Sequence, residues 1–158
     1  MTDIDMEIFN LGAGTYDNIK FFRAPADRLI VIAKLTPGQQ VLDVACGTGW
    51  ATMAAARTIG DAGRVTGIDI AGKMLDVARE KAKSAGMANV EYRLGDTEAL
   101  DFDDGSFDTV ICASSIFLLQ DIHKALLEWN RVLKAGGTVA FTSFGPSLFQ
   151  PVIKPLGE

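Results

Sequence analysis

The fold of this chain is decided by residues 41–50, which read VLDVACGTGW. An apolar run typical of a buried strand leads into Gly47 and Gly49, and a helical pattern rich in alanine follows. Glycine lets the backbone approach a ligand closely, and small residues let the next helix pack tightly on a sheet. The stretch therefore predicts a strand, a tight turn with a ligand beside it, and a helix. The alternative is a strand-to-helix connection without a ligand.

The residues around this turn indicate the charge of the ligand. A dinucleotide-binding turn has a third glycine three positions after the second, and Thr52 stands there instead. Asp43 lies inside the strand end, where its carboxylate would repel a pyrophosphate but attract an ammonium or a sulfonium. This combination favours S-adenosylmethionine over NAD.

On both sides of the turn, short β-branched runs alternate with helical patterns, as in stacked βαβ units. We predict an α/β chain with a Rossmann-like, doubly wound, mostly parallel sheet of five strands. Residues 1–17 show no stable period and should lie over the surface. The predicted strands are 40–45, 64–69, 90–94, 109–112 and 138–142, and the predicted helices are 50–59, 73–85 and 122–134, after a first helix that begins near Pro25.

Asp69 closes the second predicted strand about 20 residues after Gly47, the spacing at which an acidic residue meets a ribose diol. Two adjacent hydroxyls and one carboxylate make a bidentate, charge-assisted pair. The alternative is that Asp69 caps the following helix. Ile70 and Met74 are placed either to cover one face of an adenine or to pack in the core.

The turns after the third and fourth predicted strands complete the expected site. Asp96 would accept from the exocyclic amine of adenine while the Thr97 backbone reads the ring edge, or Asp96 is a solvated loop acid. Ligands of open α/β sheets bind beyond the carboxyl ends of the strands, so the apolar loop 116–119 should face the methyl group and the acceptor. Ser114 would hold the methionine moiety, or satisfy only its own backbone. The predicted cofactor-binding residues are Asp43, Ala45, Cys46, Gly47, Gly49, Asp69, Ile70, Met74, Asp96, Thr97 and Ser114, with no catalytic residue and no metal ligand assigned.

Composition excludes several kinds of partner. The 158 residues are 48% hydrophobic and carry a formal net charge of −5. One continuous core can form, and the acidity argues against a nucleic-acid partner, which needs clustered Lys and Arg. No apolar run reaches the roughly 18 residues that span a bilayer, and the first residues are acidic rather than basic, so we expect the cytoplasm. The 2 cysteines and 1 histidine are far apart, which disfavours a structural metal site.

Taken together, these motifs resemble the class I S-adenosylmethionine-dependent methyltransferases, in particular the ubiquinone and menaquinone biosynthesis C-methyltransferase group (methyltransferase type 11-like). The resemblance covers about residues 38–145. It rests on VLDVACGTG at 41–49, GID at 67–69, the stretch from GD at 95–96 to SFD at 106–108, and RVLKAGG at 131–137. It implies a seven-stranded sheet in the order 3-2-1-4-5-7-6. It also implies that the segment with Tyr16 and Asp17 can fold over the cofactor, the alternative being a disordered end.

The same resemblance implies that the chain stops short of a complete domain. The family continues after its fifth strand with a helix and an antiparallel hairpin, whereas only residues 144–158 remain here. An open fifth strand invites pairing with another chain, so we expect either a truncated chain or a homodimer through this edge. The expected organisation is an N-terminal arm or cap over residues 1–24, the S-adenosylmethionine-binding core over 25–145 and a truncated C-terminal extension over 146–158.

The expected function is transfer of a methyl group from S-adenosylmethionine to a small, fairly apolar acceptor by in-line displacement. No convincing base is found, since His123 is more typical of a surface residue. A non-catalytic S-adenosylmethionine-binding module is one alternative. An NAD-dependent oxidoreductase is another, disfavoured by Asp43, by Thr52 and by the lack of a Tyr-x-x-x-Lys set. The residues do not identify the acceptor or the atom, C, N or O, that is methylated.

Overall fold

Five parallel strands form the centre of the molecule in the computed structural model, which describes residues 3–145. The predicted extension over residues 146–158 lies outside the described residues. The spatial order of the strands is β3-β2-β1-β4-β5, which confirms the predicted α/β, Rossmann-like sheet. The strands are β1 Gln40–Val44, β2 Arg64–Asp69, β3 Val90–Leu94, β4 Phe107–Ala113 and β5 Leu133–Thr142.

Helices cover both faces of this sheet because alternate strand residues point to opposite sides. The helices are α1 Asp3–Gly12, α2 Arg23–Ala33, α3 Trp50–Ile59, α4 Gly72–Ser84 and α5 Ile122–Val132. On one face, α2 and α3 pack against Val41 of β1 and Val65 of β2. On the other face, α5 packs against Leu42 and Val110.

The register brings the carboxyl ends of three strands together. Val41 of β1 pairs with Val65 of β2 on one side and with Thr109 of β4 on the other. Because all three strands run in the same direction, the segments that follow them emerge at one edge of the sheet. This is the edge at which the predicted ligand-binding turns lie.

Helix α1 was not predicted, because residues 1–17 show no stable period in the sequence. Acidic residues interrupt its apolar pattern, and its order comes from a tertiary contact. Phe9 and Ala13 cluster with Ala71 and Met74 at the start of α4. Packing against a distant helix therefore decides a segment whose own sequence pattern is weak.

The last predicted helix and strand also differ from the structure. Leu133 already has an extended backbone, with φ −77° and ψ 139°, so α5 ends at Val132 and not at residue 134. Strand β5 begins at this residue, and its register against β4 shifts between Phe107 and Thr109. Among the described strands β5 lies at an edge, and its pairing with another chain stays a prediction. Among residues 3–145, no helix is long and apolar enough to cross a membrane.

Candidate functional site

A cavity of about 160 Å³ lies at the carboxyl edge of the sheet. It brings together the turn after β1, the end of β2, the start of α4 and the loop after β4. Among the described residues of its wall, Asp69 is the only charged one. The wall consists of Phe9, Tyr16, Ala45, Gly47, Asp69, Met74, Ser114, Ser115, Phe117, Leu118 and Phe144.

The turn after β1 is held in a conformation that favours glycine. Ala45, Gly47 and Gly49 all have positive φ, and Gly49, at φ 82°, is the residue that precedes α3. Its N–H donates to the Cys46 carbonyl at 2.9 Å. A Cβ at Gly49 would overlap the hydroxyl of Tyr92 on β3, so the turn lies directly against the sheet. The predicted tight turn is confirmed, and the cavity lies beside it.

Asp69 joins the end of β2 to two neighbouring segments. Its Oδ2 accepts from the Gly47 N–H and its Oδ1 from the Ala71 N–H, both at 2.8 Å. The side chain is buried but lines the cavity, and burial raises its pKa although these N–H groups pull in the opposite direction. Each oxygen retains a second acceptor site. The carboxylate therefore both fixes the turn and can still accept from a hydroxyl in the cavity.

Asp43 is turned beneath the glycine turn and is fully buried. Thr52 of α3 donates its hydroxyl to Asp43 Oδ2, whereas Oδ1 has no hydrogen-bond partner within the described residues. Burial raises the pKa of Asp43 to about 7. A buried acceptor without a donor suits a ligand that brings one, such as an ammonium group. Asp43 is not part of the cavity wall as it stands.

The loop after β4 supplies the apolar side of the cavity. Ser114 has a φ of 55°, and its N–H donates to the Thr142 hydroxyl at 3.0 Å. Its own hydroxyl lies 3.3 Å from that of Thr142, so β5 positions the residue. A short 3-10 turn, Ile116–Leu118, then places Phe117 and Leu118 in the wall.

Several predicted residues lie away from the cavity wall. Asp96 is exposed, and its Oδ1 accepts from the Glu98 N–H in its own loop. The Thr97 carbonyl accepts from the indole of Trp129. Cys46 packs with Tyr92 of β3, and Gly49 lies against the same side chain. Ile70, next to Asp69 in the chain, is half-buried. Their roles toward a cofactor stay predictions.

The two cysteines are packing residues. Both are buried. Burial raises the pKa of Cys112 to about 12 and that of Cys46 well above its usual range. Protonated thiols are poor nucleophiles. Among the described residues no group of His, Cys, Asp and Glu side chains could hold a metal ion.

The N-terminal segment also contributes to the cavity wall. We call residues 3–22 the arm. Its Phe9 and Tyr16 line the cavity, and burial, followed by the charges of Asp69 and Asp17, raises the pKa of Tyr16. Sequence reasoning flagged Tyr16 but missed Phe9, which lies in the unpredicted helix. It also missed Phe144, which enters the wall from beyond β5.

Comparisons with known proteins agree with this geometry. A family model described as a methyltransferase domain matches residues 41–137. The aklanonic acid methyltransferase DauC of Streptomyces sp. (strain C5) is 35% identical over 93% of this chain and 72% of its own length. The ubiquinone/menaquinone biosynthesis C-methyltransferase UbiE of Enterobacter sp. (strain 638) is 41% identical over 77% of this chain and 47% of its own length.

A solved structure shows the same fold. The SAM-dependent methyltransferase from Aquifex aeolicus superposes with a TM-score of 0.69 at 26% identity, over 77% of this chain and 68% of that one. The present chain spans 72% of the length of the first of these two curated relatives and 47% of the length of the second. The resemblance that the sequence suggested is confirmed: the chain belongs to the methyltransferase domain family, among the S-adenosylmethionine-dependent methyltransferases with this Rossmann-like fold.

Proposed function

We propose that the chain moves a methyl group from S-adenosylmethionine to a small, fairly apolar acceptor. The observation that carries this proposal is the cavity itself. It has one carboxylate, Asp69, at the end of β2 beside the glycine turn, and an apolar wall from Phe117 and Leu118 on the other side. The first half suits a ribose and the second an apolar acceptor.

The residues present fit the donor. In this proposal Asp69, which lines the cavity, accepts from the ribose hydroxyls, and Ala45 and Gly47 let the ligand lie close to the backbone of the turn. Met74 offers an apolar surface to the adenine. The unpaired Oδ1 of Asp43 lies beneath the same turn and offers an acceptor for the ammonium group. We keep the proposed roles of the remaining residues. Asp96 and the Thr97 backbone contact the edge of the adenine, and Ser114 holds the methionine moiety.

S-adenosylmethionine supplies a methyl group already activated by its sulfonium. The chain has to align an acceptor with that group and to keep water out. Phe117, Leu118 and Phe144 do so as apolar wall residues. In the transfer, the carbon–sulfur bond breaks as the acceptor–carbon bond forms, and S-adenosylhomocysteine leaves with a neutral sulfur. No histidine or lysine lines the described cavity, so the acceptor should lose its proton without a base from the chain, as an acidic enol or a carboxylic acid does near neutral pH.

Calorimetric titration of S-adenosylhomocysteine tests the donor site. The wild type should bind, and Asp69→Ala should bind about a hundredfold more weakly, because a charge-assisted bidentate contact is lost. Asp69→Asn, which keeps an acceptor for the Gly47 N–H, should also bind weakly and shows that the loss is not due to an unfolded turn. Asp61→Ala, at an exposed position after α3, is the matched control.

Two further measurements separate the alternatives. Incubation with S-adenosylmethionine and a panel of acidic enols and carboxylic acids should release S-adenosylhomocysteine with at least one of them. A folded wild type that binds NADH but not S-adenosylhomocysteine would overturn the proposal. Binding without transfer to any acceptor would reduce the chain to a binding module.

A further inference from the structure

One hydroxyl on β5 holds a residue of the cavity wall from behind. Thr142, the last residue of β5, pairs with Ala113 of β4. Its Oγ1 accepts from the Ser114 N–H at 3.0 Å and lies 3.3 Å from the Ser114 Oγ. The described wall of the cavity contains Ser114 but not Thr142. Thr142 therefore acts on the cavity through Ser114.

Ser114 needs such a support because its backbone is left-handed, with a φ of 55°. This conformation costs free energy in a residue other than glycine and persists only where neighbouring groups hold it. The Ser114 N–H also reaches the Thr142 carbonyl at 3.2 Å, so the main chain by itself satisfies this N–H. What the Thr142 hydroxyl adds is a fixed direction for the Ser114 side chain.

The hydrogen-bond pattern decides which of the two hydroxyls donates. Thr142 Oγ1 already accepts from the Ser114 N–H, and among residues 3–145 its own proton has a partner only in the Ser114 Oγ. Because Thr142 then donates to Ser114, the proton of the Ser114 hydroxyl stays available for a ligand. The other serine of the wall, Ser115, donates its hydroxyl proton to the Ala113 carbonyl at 3.0 Å. Ser114 is thus the serine that can donate into the cavity.

The strand order indicates which ligand group this proton meets. Strand β1 lies between β2 and β4, so Asp69 at the end of β2 and Ser114 after β4 stand on opposite sides of the glycine turn. A donor whose ribose lies at Asp69 extends its methionine moiety past this turn toward Ser114. Asp69 repels the carboxylate of that moiety, whereas a hydroxyl donates a charge-assisted hydrogen bond to it.

We propose that Thr142 is a positioning residue for the methyl donor, and that its hydroxyl turns the Ser114 hydroxyl toward the carboxylate of the methionine moiety. The inference rests on the proposed function, since it takes S-adenosylmethionine as the donor. Thr142 itself touches no ligand. Because Ser114 is already held in the donating rotamer, binding does not have to fix this side chain, and the affinity for the donor is higher.

Two ligands that differ in the amino-acid part test this role. S-adenosylhomocysteine and methylthioadenosine share the adenosine and the sulfur, but methylthioadenosine lacks the carboxylate and the ammonium group. Thr142→Val removes the hydroxyl at nearly constant size and should weaken the binding of S-adenosylhomocysteine about fivefold. Methylthioadenosine should bind to this variant as it binds to the wild type. Calorimetric titration gives both dissociation constants.

Three further variants separate the hydroxyl from the packing around it. Thr142→Ser keeps the hydroxyl and should bind S-adenosylhomocysteine as the wild type does. Thr138→Val makes the same change earlier on β5, at a residue outside the described cavity wall, and should leave both dissociation constants unchanged. Ser114→Ala removes the donating hydroxyl, so adding Thr142→Val to it should cause no further loss of affinity for S-adenosylhomocysteine.

The outcomes distinguish this inference from the proposed function. An unchanged affinity of Thr142→Val for S-adenosylhomocysteine, or an equal loss for both ligands, overturns the positioning role and leaves the proposed function intact. A further loss when Thr142→Val is added to Ser114→Ala does the same. A folded wild type that binds no S-adenosylhomocysteine overturns the proposed function and the positioning role with it.

Discussion

Two regions wall the same cavity and are held in place by different interactions. The sheet edge, formed by the glycine turn at residues 45–49 and by Asp69, is buried except for the half-buried Gly47, and hydrogen bonds of the backbone tie it together. The arm buries only Ala13 among its described side chains and is tied by the polar contacts of Asp17 and Asn10. The sheet edge should therefore respond to mutation through the stability of the whole chain, and the arm through local opening.

The largest effect is expected for Gly49→Ala, on the sheet-edge side of the comparison. A Cβ there would overlap the Tyr92 hydroxyl and lie 3.2 Å from the Ala78 Cβ. Overpacking costs about 1–3 kcal/mol and the left-handed backbone about 1 kcal/mol more. We expect the free energy of unfolding in urea to fall by about 3 kcal/mol.

Gly38→Ala is the matched control for this substitution. Gly38 has a φ of 85°, yet a Cβ there would meet no atom of residues 3–145 within 4 Å. Gly38→Ala should therefore lower the free energy of unfolding only by the cost of the left-handed backbone, about 1 kcal/mol. Tyr92→Phe removes a buried hydroxyl that has no partner within the described residues, and Gly49→Ala should cost less in that background. Equal losses in Gly38→Ala and Gly49→Ala would show that the close contact does not matter.

The second prediction concerns Asp43 and pH. Burial raises its pKa to about 7 in the folded chain, against about 3.9 when unfolded. The folded state thus holds the proton more tightly, so this contribution to stability is complete below about pH 4 and is lost as the pH rises toward 7. Between pH 5 and pH 7 the ligand-free chain should lose about 2 kcal/mol through this group.

Urea unfolding at a series of pH values measures this loss. Asp43→Asn has no proton to release and should show a correspondingly flatter pH dependence, while Asp61→Asn controls for the change in net charge. The structure indicates that the Asp43 carboxylate is desolvated. If stability depends on pH in Asp43→Asn as steeply as in the wild type, this is wrong, and the sheet edge is less tightly closed than the comparison requires.

The sheet edge could be predicted from the sequence because its determinants are local. Apolar runs and the glycine turn give β2, β3 and α3 with the residue bounds that the structure has. The position of Asp43 within its strand was also correct. The direction of the Asp43 side chain was not evident from the sequence. Asp43 shares a face of β1 with Val41, which packs against α3, and its side chain therefore meets Thr52 beneath the turn.

The helix and the contacts of the arm could not be predicted from its own residues, because their determinants are distant in sequence. Phe9 and Ala13 gain their packing partners only from α4, and Asp17 gains its partners from the turn, α3 and α4. The register shift of β4 against β5 likewise follows from pairing and not from composition. A segment held by side-chain contacts across a fold has no periodicity for sequence analysis to detect.

The smallest effect is expected for Asn10→Ala, on the arm side. Asn10 Oδ1 accepts from the Lys73 N–H at 2.9 Å, in the first turn of α4, and Ala71 before that helix makes no side-chain cap. Losing this acceptor should lower the free energy of unfolding by about 0.5 kcal/mol, at the low end for a capping residue. Amide exchange in α1 should become severalfold faster, because the hydrogen bond between Asn10 and Lys73 holds a segment that can open independently of the sheet. Asn18→Ala, at an exposed position in the same arm, is the control. A loss in global stability as large as that of Gly49→Ala would mean that the arm and the sheet edge unfold together, and the distinction between a rigid wall and a movable one would no longer hold.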